Sequence, residues 1–179
     1  MTRRWTRREL AAIAGAAAMV GVSDASPGKP PIRRRGAVGL ASLTVGAKGK
    51  VDPEAAAAAM DSVLRAATGA VDITAAVRGL FKPSDVVGIK LNCLGGSRMS
   101  PRPEVVSAFV DCLIAGGLAP DRIILFERSS RELERAGFEI RRGGSGMQCY
   151  GTDNDYDRQP SVSGAIGSCF ARLVSETCT

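Results

Sequence analysis

Two short apolar runs of the chain end in polar residues that could do chemistry. One run ends in Lys90 and Asn92, and the other ends in Glu127 and Arg128. A lysine can hold an anionic group or act as a base once its pKa is lowered, and a carboxylate can accept a proton or bind a metal. These four are therefore the candidate ligand-binding residues, and Lys90 and Glu127 are the catalytic candidates. The alternative is a structural ion pair between Lys90 and Glu127 beside solvent.

The elements that would position these residues are two interior strands, at 85–91 and 122–126. Turn residues flank both runs, and each run is too short for a buried helix. Pro103 and Glu104 open a helix between them, and a right-handed crossover makes the strands parallel and adjacent or nearly so. Ligands of open α/β sheets bind beyond the carboxyl ends of the strands. The prediction is an α/β fold with an open, mostly parallel sheet and flanking helices.

The other predicted elements are less regular. A first strand is expected at 38–45, and the capped start Asp52-Pro53-Glu54 predicts a helix that ends at Gly69. A short helix is expected at 73–81. The Ser-Ser-Arg-Glu run at 129–132 has the spacing of a capping box, with Gly137 as the terminator of that helix. Beyond 138 the sequence signal weakens: 143–146, 151–160 and 161–167 are loop-like, and 170–174 is a short apolar run of uncertain type. The absence of a closing element predicts a sheet that is incomplete toward the C-terminus.

The N-terminal region has the pattern of an export signal. Arg7 and Arg8 precede an uncharged apolar stretch at 11–22, and small residues near Ala25 suggest cleavage there. The paired arginines resemble the twin-arginine type, which a dedicated translocase reads. The expected organisation is a signal peptide at 1–25, a linker at 26–37 and an α/β domain at 38–179. The expected location is periplasmic or otherwise extracytoplasmic, with membrane contact through the signal alone; an uncleaved N-terminal anchor is the alternative.

Composition excludes several classes of site. The chain has no histidine, which excludes Ser-His-Asp and Cys-His catalysis and His-ligated zinc within this chain. Of the net charge of +6, residues 1–25 carry +2, and the remaining +4 is dispersed and lacks interleaved aromatic residues, so no nucleic-acid partner is expected. The cysteines show neither a ferredoxin-type run nor a zinc-ribbon spacing; they are Cys93, Cys112, Cys149, Cys169 and Cys178.

Weaker candidates lie outside the two strand ends. Asp153, Asp155 and Asp157 alternate as in the first half of a calcium loop, but Arg158 stands where such a loop needs glycine. A plain acidic loop is therefore favoured, and no metal is expected. Cys93 would be a reactive thiol if Lys90 lowered its pKa. Cys169 and Cys178 could form a disulfide in an oxidising compartment, although the number of cysteines is odd.

The Lys-Pro-Ser-Asp-Val-Val-Gly-Ile-Lys-Leu-Asn run at 82–92 resembles the K-P-G-D-x-V-x-I-K-P-N opening of the domain of unknown function 362 family. Asp-Pro-Glu-Ala at 52–55, Ser-Pro-Arg-Pro-Glu-Val-Val at 100–106 and the acid-ending run at 123–128 follow the family's order. The resemblance spans roughly 38–179. Ser84 stands where the family usually has glycine, and Leu91 where it usually has proline.

The resemblance implies further properties. Exported members also begin with a twin-arginine signal, and members often carry an iron–sulfur label because some have an added ferredoxin-like module. This chain lacks that module, so an iron–sulfur cluster is expected only by family association and the cofactor is unknown. Family members continue into a P-V-L-K-x-H type segment. The chain stops before such a segment, so it is expected to be the front part of a longer domain.

Three hypotheses about function follow. In the first, an exported α/β domain binds a small anionic ligand or cofactor at the strand ends, in one version for redox chemistry. In the second, the chain is a non-catalytic maturation or binding factor for a partner protein outside the cytoplasm. In the third, it is a truncated, inactive product. Whether the protein is an enzyme is left open.

Overall fold

The computed structural model describes residues 37–179. The predicted signal at 1–25, with Arg7 and Arg8, lies outside the described residues, and so does the linker at 26–37 except for its last residue. Within 37–179, no helix combines the length and the apolar character that a membrane crossing requires.

Four helices and five strands make up the described chain, together with short single turns. The helices are α1 (Pro53–Thr68), α2 (Ile73–Arg78), α3 (Pro103–Ala115) and α4 (Ser130–Ala136). The strands are β1 (Val87–Lys90), β2 (Ile123–Glu127), β3 (Gln148–Gly151), β4 (Ser161–Ser163) and β5 (Ile166–Ser168). A π-helical turn follows at Leu173–Thr177. The predicted α/β class is confirmed.

The main sheet has three parallel strands in the order β1-β2-β3. Val87 is in register with Ile123, and Lys90 with Phe126. Glu127 is in register with Gly151 of β3. Because all three strands run in the same direction, their carboxyl ends lie at one edge of the sheet. The predicted parallel pairing of the two apolar runs is confirmed.

The two faces of this sheet are covered differently. Ile123 and Leu125 of β2 belong to the larger core, which they share with Leu113 of α3 and Leu133 of α4. The alternate residues of β2, Ile124 and Phe126, pack instead with Leu173 of the π-helical turn. This alternation follows from the two-residue period of a strand. Helices therefore cover one face, and the C-terminal segment covers part of the other.

Helix α1 begins and ends as its sequence predicts. The Asp52 carboxylate accepts a hydrogen bond from the Ala55 N–H at 2.9 Å, and Pro53 occupies the first turn. Gly69 ends the helix in the left-handed conformation, with φ of 73°. Such a terminus favours glycine because a Cβ atom is strained there.

The predicted strand at 38–45 is wrong. The chain is irregular there, apart from a single bridge between Val45 and Val51. Leu40 is 86% exposed, so the apolar run does not enter the core. A strand needs a neighbour for its backbone groups, and this segment pairs with no strand of the described sheets.

Beyond 138, the sequence did not predict β3, and the loop-like prediction at 161–167 is wrong. The short segment of mixed polarity that forms β3 adds a third parallel strand to the sheet. Farther on, β4 and β5 form an antiparallel hairpin in which Ser163 pairs with Ile166. Gly164 lies in the connecting turn with φ of +60°, a conformation that glycine adopts without strain.

Candidate functional site

Lys90 and Glu127 meet at the carboxyl edge of the sheet. The Lys90 ammonium donates a hydrogen bond to Oε1 of Glu127 at 2.8 Å and another to the Leu91 carbonyl at 2.6 Å. The Glu127 side chain is 3% exposed, whereas the Lys90 side chain is half exposed. The structure therefore brings together the two principal candidates as an ion pair with one buried and one accessible partner.

The Glu127 carboxylate is held in its charged form. Burial by itself would raise its pKa, but the hydrogen bonds from Lys90 and from the Arg128 N–H outweigh burial, and the pKa is lowered. The Arg128 N–H binds Oε2, so both oxygens of Glu127 have donors. A carboxylate that is stabilised in this way is a poor proton acceptor near neutral pH.

Asn92 and Arg128, the other two candidates, lie at the same edge, but their side chains contact different residues. The exposed Arg128 guanidinium pairs with Glu132 of α4, and this hydrogen bond raises the pKa of Arg128. Asn92 is exposed, and its side-chain carbonyl accepts a weak hydrogen bond from the Leu94 N–H at 3.3 Å. The amide nitrogen of Asn92 donates to no described residue.

Glu132 also belongs to this site, although the sequence predicted it as a capping residue at the start of α4. Its Oε2 atom is buried and accepts no hydrogen bond from the described residues. Its carboxyl group also lies within hydrogen-bonding reach of Glu127 and helps to lower the pKa of that residue. The predicted capping box is wrong, because Ser129 makes no side-chain cap and Glu132 binds Arg128. Glu132 therefore belongs to the same group of charged side chains as Lys90, Glu127 and Arg128.

Cys93 does not have the properties of a reactive thiol. Its side chain is buried, and this burial raises its pKa although a hydrogen bond with Ser100 and the Lys90 charge act in the opposite direction. The condition for a reactive Cys93 thiol, a pKa lowered by Lys90, is therefore not met. Burial also raises the pKa of Cys149, to about 11. Buried thiols of this kind act as small core residues.

The cysteines do not fit an iron–sulfur cluster. The five thiols are free, and three of them are buried. No three histidine, cysteine or acidic residues of the described chain gather as metal ligands would. Cys169 and Cys178 form no disulfide, and the Cys178 sulfur instead accepts a hydrogen bond from the Gly88 N–H of β1.

The three acids of the predicted acidic loop turn to different partners. Asp153 accepts hydrogen bonds from the N–H and the hydroxyl of Ser130, both at 3.0 Å. Asp155 lies 3.5 Å from Nη1 of Arg172, and Asp157 accepts a hydrogen bond from a serine hydroxyl. Their carboxylates are thus engaged separately. Asp153 contributes to folding, because it caps the start of α4 from a distant loop.

We expect the cap from Asp153 to contribute about 1–2 kcal/mol to the free energy of unfolding. Asp153→Gly removes the carboxylate and tolerates the local φ of +50°, whereas Asp153→Asn keeps an acceptor oxygen and should lose less. Urea unfolding followed by circular dichroism measures the free energy of unfolding of both variants. Ser129→Ala is the control and should change stability by less than about 0.5 kcal/mol. A larger loss for Ser129→Ala than for Asp153→Gly would contradict this assignment.

A cleft of about 170 Å³ opens at the end of β3, at the same edge of the sheet. Its lining is mainly polar and comes from the end of β3, the loops on either side of that strand and the π-helical turn. The lining residues include Arg142, Tyr150, Asp155, Arg172, Glu176 and Thr177. This cleft was not predicted from the sequence, because it forms around the end of β3, a strand that the local pattern does not indicate.

Comparisons with models of known protein families, with curated proteins and with solved structures found no match. The resemblance to the domain of unknown function 362 family therefore stays a prediction.

Proposed function

We propose that this protein binds a small anionic ligand or cofactor at the carboxyl ends of β1 and β2. The observation that carries the proposal is the half-exposed Lys90 ammonium held by the buried carboxylate of Glu127. An open parallel sheet presents its ligands at this edge, where the strands end and the loops begin. A fixed ammonium group at that edge is suited to an anion.

Unused hydrogen-bond donors favour an anion over a cation. An ammonium group has three donors, and Lys90 uses two of them within the protein. The Asn92 amide nitrogen adds two more, and the exposed Arg128 guanidinium uses only Nη2. Both oxygens of Glu127 are occupied. A ligand at this edge therefore meets more free donors than free acceptors.

In this proposal the four residues have different roles. Lys90, Asn92 and Arg128 contact the ligand, whereas Glu127 is a positioning residue that holds the ammonium in place. The lowered pKa of Glu127 argues against a role as a base. We propose binding as the function of the site and assign no reaction to it. The family's iron–sulfur label receives no support from the described cysteines.

We also propose that the protein is exported, because Arg7, Arg8 and the apolar stretch after them have the pattern of a twin-arginine signal. The translocase would then be its first partner, and its location would be periplasmic or extracytoplasmic. Retention of the N-terminal segment as an anchor is the alternative. Fractionation of cells that express the wild type and an Arg7→Lys, Arg8→Lys variant tests this proposal: we expect the wild type outside the cytoplasm and the variant inside it. Wild-type protein inside the cytoplasm would contradict export, and both proteins outside it would contradict the twin-arginine route.

Titration of the full chain with inorganic phosphate and with succinate, followed by calorimetry, tests the binding proposal. We expect Lys90→Gln to weaken binding about tenfold, since a charge-assisted hydrogen bond contributes about 1.5 kcal/mol or more. Asn92→Asp should also weaken it, because it places a negative charge at the edge without touching the ion pair. Lys82→Gln is the matched control at an exposed lysine. Binding that is equal in all four proteins would overturn the proposal.

A second candidate function is that of a non-catalytic binding or maturation factor. The hairpin of β4 and β5 exposes apolar side chains: Val162 is 71% exposed and Ile166 is 76% exposed. The register places these two side chains on opposite faces of the hairpin, where each is open to a partner protein. Recovery of a stoichiometric partner protein, together with no binding of phosphate or succinate, would favour this candidate over the first.

A further inference from the structure

The loop that follows β1 exposes two apolar side chains beside the proposed anion site. Leu94 is 66% exposed and Met99 is 82% exposed. Single exposed apolar residues are common on protein surfaces and need no ligand to explain them. These two differ because they belong to one loop, and because that loop begins at Asn92, a residue of the proposed site.

A continuous set of contacts leads from the ammonium group of Lys90 to the first of these side chains. The ammonium donates to the Leu91 carbonyl at 2.6 Å, so it lies beside the peptide bond that joins Leu91 to Asn92. The Asn92 side-chain carbonyl accepts from the Leu94 N–H at 3.3 Å. Asn92 and Leu94 are exposed, whereas Cys93 between them is buried. The anion donors and the Leu94 side chain are therefore open to the same solvent.

Met99 extends this surface. A Cβ atom on Gly95 would lie 2.6 Å from the Met99 Cβ atom and 3.1 Å from its sulfur. The Met99 side chain therefore lies across the Gly95 backbone, directly after Leu94. Leu94 and Met99 together form one exposed apolar strip, and its near end adjoins Asn92.

Hydrogen bonds within the loop hold the apolar strip in place. The Gly96 N–H donates to the Cys93 carbonyl at 3.1 Å. The N–H and the hydroxyl of Ser100 both donate to the Gly96 carbonyl, at 3.0 and 2.7 Å. The buried Cys93 thiol forms a further hydrogen bond with Ser100. A surface that is fixed in this way loses little conformational freedom when a ligand covers it.

The charge of the loop favours an anion here as well. Arg98 lies between the two apolar residues in sequence, is exposed, and forms no ion pair with an acid among residues 37–179. A purely inorganic anion would leave the apolar strip in water, and an uncharged apolar molecule would leave the donors of Lys90 and Asn92 unused. An anion that carries a hydrocarbon chain satisfies both.

The spacing of these groups sets the length of that chain. Leu94 lies two residues beyond Asn92, which is at most about 7 Å along an extended backbone. A chain of four to six carbons spans about 5–8 Å, since each carbon–carbon bond is about 1.5 Å long and the chain is bent at every carbon. Such a chain reaches the apolar strip while its head group stays at the sheet edge.

We propose that the ligand of the Lys90 site is an anion with a short hydrocarbon chain, whose head group binds Lys90, Asn92 and Arg128 and whose chain covers the apolar strip. This inference rests on the proposed anion-binding function and specifies its ligand class. Surfaces that bind anionic membranes typically carry clusters of four to eight basic residues, whereas the loop supplies the single unpaired cation Arg98. The proposed occupant is therefore a free molecule and not a membrane.

Calorimetric titration of the full chain with methyl phosphate and with hexyl phosphate tests this proposal, because the two ligands share one head group. Each fully buried CH₂ group strengthens binding about fourfold. The open apolar strip covers only part of the chain, so we expect hexyl phosphate to bind about tenfold more tightly than methyl phosphate. Equal affinities would overturn this inference and leave anion binding intact. Binding of neither ligand would overturn both.

Variants identify the surface that the chain covers. Leu94→Ser and Met99→Ser should each reduce the tenfold preference for hexyl phosphate to about threefold, and the double variant should abolish it. Val71→Ser is the matched control, because Val71 is also 66% exposed and lies outside the loop; it should keep the full preference. Lys90→Gln should weaken both ligands by the same factor. A tenfold preference that survives in the double variant would refute the role of the apolar strip.

Sedimentation with vesicles of phosphatidylglycerol distinguishes a free ligand from a membrane surface. We expect the wild type and Met99→Ser to be retained equally, whatever the N-terminal segment contributes to both. Weaker retention of Met99→Ser would show that the apolar strip enters a lipid surface, and it would overturn the proposal of a free ligand.

Discussion

Gly151→Ala is expected to lower the free energy of unfolding by about 3 kcal/mol or more, because β3 ends against the start of α4 with no room for a side chain. A Cβ atom at residue 151 would lie 2.0 Å from the Ser130 nitrogen and 2.4 Å from the Ser129 carbonyl carbon. Both are backbone atoms, so neither can move away by a rotamer change. The Gly151 N–H also donates to the Ser130 hydroxyl at 3.0 Å, which fixes the two segments further.

Urea unfolding of Gly151→Ala and of a matched control measures this effect. Gly146→Ala is the control, since a Cβ atom there meets nothing within 4 Å and the backbone has no positive φ. We expect the control to change stability by less than about 0.5 kcal/mol. Equal stability of the two variants would mean that the strand and the helix are not held together at this point.

The strands β1 and β2 could be predicted because their own residues carry the pattern of a buried strand. The runs that became β1 and β2 are nearly continuous in apolar residues and are bounded by turns, which is the pattern of a strand buried on both faces. Every residue of β2 is buried. Once these strands are parallel, the meeting of Lys90 and Glu127 follows from their shared position at the strand ends.

Other elements depend on contacts that a local pattern does not contain. The sequence of β3 is short and mixed in polarity, and its pairing with β2 and its bridge from Cys149 to Arg141 make it a strand. The apolar run at 38–45 lacks such a neighbour and stays irregular. Hydrophobic pattern predicts where a strand can form, but pairing decides whether it forms.

The candidate site also contains residues whose contacts the local sequence does not predict. Glu132 has the spacing of a capping residue, yet its side chain binds the Arg128 guanidinium instead of the helix start. Cys93 follows Asn92 in the sequence, which suggested a thiol near Lys90 that would be reactive if Lys90 lowered its pKa. The chain turns inward there, and burial outweighs the charge of Lys90 and raises the pKa of the thiol.

Glu127→Gln is expected to lower the free energy of unfolding at pH 7 by about 2 kcal/mol. Removing one partner of a buried pair costs roughly 3–5 kcal/mol, and the cost is smaller here because water reaches Lys90. The pKa of Glu127 in the folded protein lies below its ordinary value of 4.5. The charged carboxylate therefore stabilises the fold fully above that ordinary value, and this contribution is lost as the pH falls through the lowered pKa.

The difference in stability between the wild type and Glu127→Gln should accordingly be constant from about pH 7 to pH 5 and should shrink below about pH 4. Urea unfolding at a series of pH values measures it. Glu139→Gln is the matched control, because Glu139 is exposed and lies 3.6 Å from Arg141 in a surface ion pair. A difference in stability that stays constant down to pH 2 would show that Glu127 stabilises the fold through its shape and not through its charge. Equal stability of the wild type and Glu127→Gln at pH 7 would show that the Lys90–Glu127 pair is dispensable for folding. The buried position of Glu127 would then have to be explained by ligand binding alone.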